Sequence, residues 1–154
     1  MKRRTLLKGS IGACAAGVAA AAGLLTPQIV MAAWPKAAFT AKGVDNSAKL
    51  LFGNNTFTNS SDISIKAPPI AENGAVVNVA VSSKIKNVDS ISIFVEKNAS
   101  PLTSSFNLSA TTEAFIKTRV KVAKTSSIVA VVKSGGKLYS ASREVKVTIG
   151  GCGG

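Results

Sequence analysis

The sequence predicts an all-β fold: an immunoglobulin-like β-sandwich of about seven strands, with a short N-terminal helix and a flexible C-terminal arm. Three observations predict it. From residue 63 onward, apolar and polar residues alternate in short runs, the period-two signature of half-buried strands. Turn signals at Pro68-Pro69, Asn73-Gly74 and Gly135-Gly136 divide these runs. No amphipathic helix of about 10–15 residues separates them, which argues against alternating β and α units. The chain has 154 residues, enough for one domain, and its 46% hydrophobic and 17% charged content suits a packed core.

The elements follow in order. Trp34 to Thr40 reads as a loose leader. Gly43 to Phe52 reads as a short helix, with Asp45 or Asn46 to cap its start and Gly53 to end it. Asn54 to Ser60 is polar and turn-like. Ile63 and Ile65 alternate in a first strand that Pro68-Pro69 ends. Val77, Val79 and Val81 form a second, after the Asn73-Gly74 turn. Ile91, Ile93 and Val95 form a third, and Phe106 and Leu108 mark a short fourth. Phe115, Ile116, Val120 and Val122 belong to a fifth. Ile128 to Val132 is a sixth, more continuously apolar. Gly135-Gly136 makes a two-residue hairpin to Leu138-Tyr139, and that strand runs on, or restarts, through Val145, Val147 and Ile149. The pairing cysteines of antibody domains are absent, so the likeness is one of architecture. Open sheet edges offer a partner a place to add strands.

The first 32 residues read as an export signal. Lys2-Arg3-Arg4-Thr5-Leu6-Leu7-Lys8 is a basic start, and Ile11 to Leu25 is an apolar run. Pro27 breaks that run, and the small residues Ala32 and Ala33 mark the cleavage region. Arg3 and Arg4 followed by two leucines and a lysine fit a twin-arginine signal, which implies a bacterial cell envelope and most simply the periplasm. The apolar run is shorter than the roughly 20 residues a bilayer-spanning helix needs, so no stable membrane anchor is expected. Cys14 follows Ile11-Gly12-Ala13 in faint likeness to a lipoprotein cleavage site, but Lys8 stands too close and most of the apolar run follows it. Residues 33–149 are then the sandwich, and 150–154 the arm.

Removing the signal changes two balances. Four of the 19 basic residues leave with it and all seven acids stay, so fifteen cations face seven anions, a net +8. Such a surface draws anions and acidic proteins. The lysines are scattered and aromatics are few, so nucleic acid is not an expected partner. Cys14 also leaves, and Cys152 remains as the single thiol. A leftover cysteine in an exported chain implies a reactive thiol or intermolecular pairing.

Catalytic groups are scarce. Without histidine there is no Ser-His-Asp or Cys-His machinery and no histidine ligand for metal or haem. One cysteine makes no CxxC pair, and the seven acids are dispersed. No catalytic residues, metal site or cofactor are expected, and the chain does not read as an enzyme. The tail, Gly150-Gly151-Cys152-Gly153-Gly154, is where chemistry concentrates. Four glycines free of side chains surround the thiol, and five extended residues reach roughly 16 Å. A thiol so placed can enter a narrow pocket on another protein and hold a group covalently. The alternative is an exported structural or interaction module that dimerises through an intermolecular Cys152 disulfide.

Several stretches resemble the SoxY family, the carrier subunits of the bacterial Sox sulfur-oxidation system. They are Ile70-Ala71-Glu72-Asn73-Gly74-Ala75-Val76-Val77, Phe94-Val95-Glu96-Lys97-Asn98 and Thr118-Arg119-Val120-Lys121. The best match is Glu144 to Gly154, whose terminal Gly-Gly-Cys-Gly-Gly is highly specific to that family. Asn78 departs from it, standing where proline is expected. The resemblance implies a periplasmic sulfur carrier in thiosulfate oxidation. Cys152 is the attachment point, and Gly150, Gly151, Gly153 and Gly154 form the arm. It implies a heterodimer with SoxZ, the SoxYZ pair, co-exported with this chain. Transient partners are implied too: the haem protein SoxAX, the dimanganese hydrolase SoxB and, where present, SoxCD. Metals and haem belong to those partners.

Overall fold

Two of the strands named above carry apolar residues on both faces, and the architecture explains them. The structure, a computed structural model, describes residues 34–149. The arm and the export signal lie outside the described residues. From Pro35 on, the described chain packs as one unit. It contains two helices, α1 (Lys36–Thr40) and α2 (Val44–Phe52), and nine strands. These are β1 (Thr58–Asn59), β2 (Ile63–Lys66), β3 (Ile70–Asn73), β4 (Val77–Ser83), β5 (Val88–Val95), β6 (Leu102–Asn107), β7 (Phe115–Val120), β8 (Ser126–Ser134) and β9 (Lys137–Ile149).

The strands form the expected sandwich. One sheet runs β1-β9-β8-β5-β6, with β3 also paired to β9, and the other runs β2-β4-β7. The inner faces meet in a core that includes Ile65, Val79, Val81, Ile91, Ile93, Ile128, Ala130, Val132 and Val145. Alternation places every second residue there. On β8 the residues in between, Val129 and Val131, turn to the opposite face of the large sheet. There they meet Phe94, Leu102 and Leu138 under Ala38 and Ala48 of the helices. The molecule therefore has three layers, helices on sheet on sheet. This is why Ile128 to Val132 is continuously apolar: β8 is covered on both sides.

The helical layer corrects two expectations. The leader is helical over Lys36–Thr40, where Ala38 is buried to 1% exposure against the large sheet. Five residues form a helix here because tertiary burial supplies what so short a segment lacks by itself. The second helix starts at Gly43 without a side-chain cap, and Asp45 sits inside its first turn, not at the cap. Its end is as expected: Gly53 takes the left-handed conformation (φ 76°) and donates its N–H to Lys49 O.

The strand count corrects a third. Nine strands stand where about seven are expected, and the additional two are β1 and β3. Both are short and pair parallel with β9. β9 itself runs unbroken for 13 residues. The β8–β9 turn is as expected, with Gly135 at φ 54° and Gly136 at φ 76°, two positive angles in succession. Asn78 lies in β4 opposite Arg119. β2 pairs with β4 only over Ala80–Ser83, so the β2 side of Asn78 is an open edge. That is a position where proline, lacking an N–H, is tolerated.

Candidate functional site

The candidate residues Cys152, Gly150, Gly151, Gly153 and Gly154, and Arg3 and Arg4, lie outside the described residues. The structure describes the end of β9 that precedes the Cys152 segment, called the root below. β8 pairs with β9 from Lys137 to Val145 and no further. Val145 is fully buried and pins this point. Beyond it, three different devices hold the strand. On one side β3 runs parallel, setting Ile70 against Lys146, Ala71 against Val147 and Asn73 against Ile149. The amide of Lys146 donates to Pro69 O at 3.0 Å, and the Thr148 hydroxyl donates to Glu72 O at 3.4 Å. On the other side, where the β8 ladder has ended, the amide of Val147 donates to Thr125 Oγ1 at 3.0 Å. A side-chain oxygen replaces a strand there.

The loops around this root are tied to each other. Asn73 Oδ1 accepts from the amide of Ala75 at 2.8 Å, shaping the turn that follows β3. Gly74 O accepts from the amide of Val122 at 2.7 Å, joining that turn to the loop after β7. The Asn98 side chain bridges the same loop, donating to Lys121 O at 2.8 Å and accepting from the amide of Ala123 at 3.0 Å. Nearby, Ser126 Oγ accepts from the amide of Lys97 at 3.0 Å. The four stretches that resemble one family thus meet at one end of the sandwich, round the last described residue of β9. Sequence reasoning missed Thr125. A threonine in a polar loop carries no signal of its own, and its role depends on the register at which β8 stops.

Chemistry within the described residues is sparse. No group of three His, Cys, Asp or Glu residues could hold a metal among them. No described helix is long and apolar enough to cross a membrane. What this end of the sandwich offers is a fixed last strand, held by the β3 ladder on one side and by the Thr125 hydroxyl oxygen on the other.

The described residues form a sandwich with a helical layer and a last strand stitched on both sides. Comparison with known proteins gives that scaffold a family. The family model for the sulfur oxidation protein SoxY matches residues 48–152. Among solved structures, the sulfur carrier protein SoxY from Chlorobium limicola f thiosulfatophilum is 45% identical, with a TM-score of 0.64. That match covers 70% of this chain and 97% of that one. A superoxide reductase (neelaredoxin) from Ignicoccus hospitalis, at 16% identity and a TM-score of 0.50, covers 55% of this chain and 79% of that one and shares the fold alone. No curated protein matches. The chain belongs to the SoxY family of sulfur oxidation proteins.

Proposed function

We propose that this protein is a periplasmic covalent sulfur carrier in thiosulfate oxidation, with the sulfur intermediate held on Cys152. One observation carries the reading most: the family match runs to residue 152, so the thiol falls within the region shared with sulfur oxidation proteins. The solved relative that is 45% identical is itself a sulfur carrier. The root geometry supports the reading, because a carrier arm works best from a fixed exit. Three residues beyond Ile149 place the Cys152 backbone up to about 10 Å from the end of the sheet.

Thiosulfate joins the Cys152 sulfur to give a thiosulfonate, releasing one proton and two electrons, which the haem partner SoxAX accepts. Hydrolysis by SoxB cleaves the terminal sulfur–sulfur bond with one water, giving sulfate, a proton and a persulfide on Cys152. SoxCD, where present, oxidises that persulfide sulfur. SoxZ is the stable partner, and Arg3 and Arg4 direct twin-arginine export. In this scheme the chain binds and presents, and its partners supply the catalytic groups.

The test replaces Cys152 with serine and supplies thiosulfate with the partner enzymes. Sulfate formation falls to background. Sulfate at the wild-type rate sinks the reading. Intact mass of protein from thiosulfate-grown cells shows a thiosulfate-derived adduct in the native chain and none in the serine variant. Disulfide dimers without any adduct would instead favour the structural module.

A further inference from the structure

The outer face of the three-stranded sheet carries a second feature. β2 stops at Lys66 because Pro68-Pro69 follows, and the chain crosses to the other sheet as β3. β4 is longer, and its first residues, Val77–Val79, have no strand on their β2 side. The crossing leaves a notch of about 510 Å³ over β4 and β7. Lys66, Lys117 and Arg143 line it beside Asn78 and Phe115. A second cavity shares Asn78 and Lys117 and adds Arg119. Arg143 reaches this place from the large sheet, its guanidinium Nη1 lying 3.5 Å from Ile65 O. No carboxylate lines either cavity. Among the described residues none of the four cations forms an ion pair.

We propose that this notch docks an extended acidic segment of a partner protein. Spacing supports the choice. Lys117 and Arg119 are alternate residues of β7, about 6.6 Å apart, the same repeat at which an extended segment presents alternate side chains. Lys66 stands in one row with Ala80 and Lys117, two strand spacings or roughly 10 Å away. The uncovered edge of Val77–Val79 offers main-chain groups to an extended chain. Phe115, 47% exposed, gives it an aromatic wall. A sulfate-sized anion uses none of these last features and cannot reach all four cations across such a space. An acidic segment uses them all. Asn78 adds an amide donor and acceptor in the floor, which a charged row alone lacks.

The probe is a fluorescein-labelled peptide of alternating glutamate and valine, titrated with the purified full chain at an ionic strength of about 0.1 M, where the screening length is about 10 Å, and read by anisotropy. The double variant Lys117→Glu/Arg119→Glu binds it at least about tenfold more weakly, the effect of reversing two screened contacts. The variant Lys84→Glu/Lys86→Glu changes net charge equally beyond the far end of β4 and leaves affinity within about twofold, because screened attraction is local. The milder Lys117→Gln/Arg119→Gln chain, with its fold verified by circular dichroism, weakens binding in the same direction. Equal weakening by the remote pair overturns the proposal, since net charge alone then explains the binding. Displacement of the peptide by thiosulfate or sulfate at matched ionic strength also overturns it and leaves a small-anion site. Docking here does not require Cys152. The Cys152→Ser chain binds the probe as tightly as the native one, and loss of binding in that chain refutes the notch without touching the carrier reading.

Discussion

Thr125 supplies a single oxygen at the point where β9 leaves β8 behind, and its effect can be isolated. Thr125→Val keeps the shape and removes the acceptor of the Val147 amide. A lost hydrogen bond of this kind costs about 1 kcal/mol. Hydrogen exchange at Val147 accelerates in that variant, while amides in the β5–β8 ladder keep their protection. Uniform acceleration across the sheet would show that Thr125 supports the whole fold and not the root alone. Phe94 is the opposite case. It is fully buried between the large sheet and the helices. Phe94→Ala destabilises by about 3–5 kcal/mol through lost transfer energy and a residual cavity. Urea denaturation reads this directly, and Phe115→Ala, removing a half-exposed ring, costs far less. Phe94 stands between the members of the Ile91-Ile93-Val95 row, and the sequence marked it only as the start of the family-like stretch to Asn98. Its partners on the far face come from helices whose docking no local pattern announces.

At the scale of elements, the hairpin between β8 and β9 depends on two left-handed residues. Both Gly135 and Gly136 have open space where a Cβ would be, so any penalty comes from backbone conformation and not from collision. Gly136→Val at φ 76° costs about 1–3 kcal/mol of strain. Gly136→Asn, a residue that tolerates that region, costs less. Thermal denaturation of the pair checks the order, and equal losses would contradict the conformational argument. This turn was legible because Gly-Gly between apolar runs has one economical geometry. The long strands were legible for a similar reason: alternation in β2 and β4 follows directly from burial of one face. β1 and β3 were not. β1 has two exposed residues, and β3 buries only Ala71. Their existence rests on main-chain pairing to β9, which leaves no hydrophobic trace. α1 was illegible too, since Lys36–Thr40 becomes helical through burial of Ala38 against a sheet distant in sequence. The four stretches around the arm root were each visible as family likeness. That they adjoin depended on β3 pairing parallel with the end of β9.

At the scale of the whole molecule, stability and sulfur carriage should separate, because they depend on different parts of the chain. The three layers bury the apolar side chains, and the terminal glycines have none to bury. A residue without a side chain adds conformational freedom to the unfolded chain and little packing to the folded one. On the carrier reading, then, Cys152→Ser abolishes sulfate formation and leaves the melting temperature within about a degree, as expected for a substitution that removes no core contact. Phe94→Ala does the reverse. It lowers the melting temperature by roughly 10–20 °C, since each of its about 3–5 kcal/mol shifts a domain of this size by about 4 °C. Below its transition the folded fraction still carries sulfur at the native rate. Differential scanning calorimetry and sulfate release, measured on the same preparations, test both arms together. A fall in melting temperature on removing the thiol would mean that the tail packs against the sandwich. An exit fixed by Thr125, Asn73 and β3 would then serve to hold the tail down, and presentation to a partner would require its release.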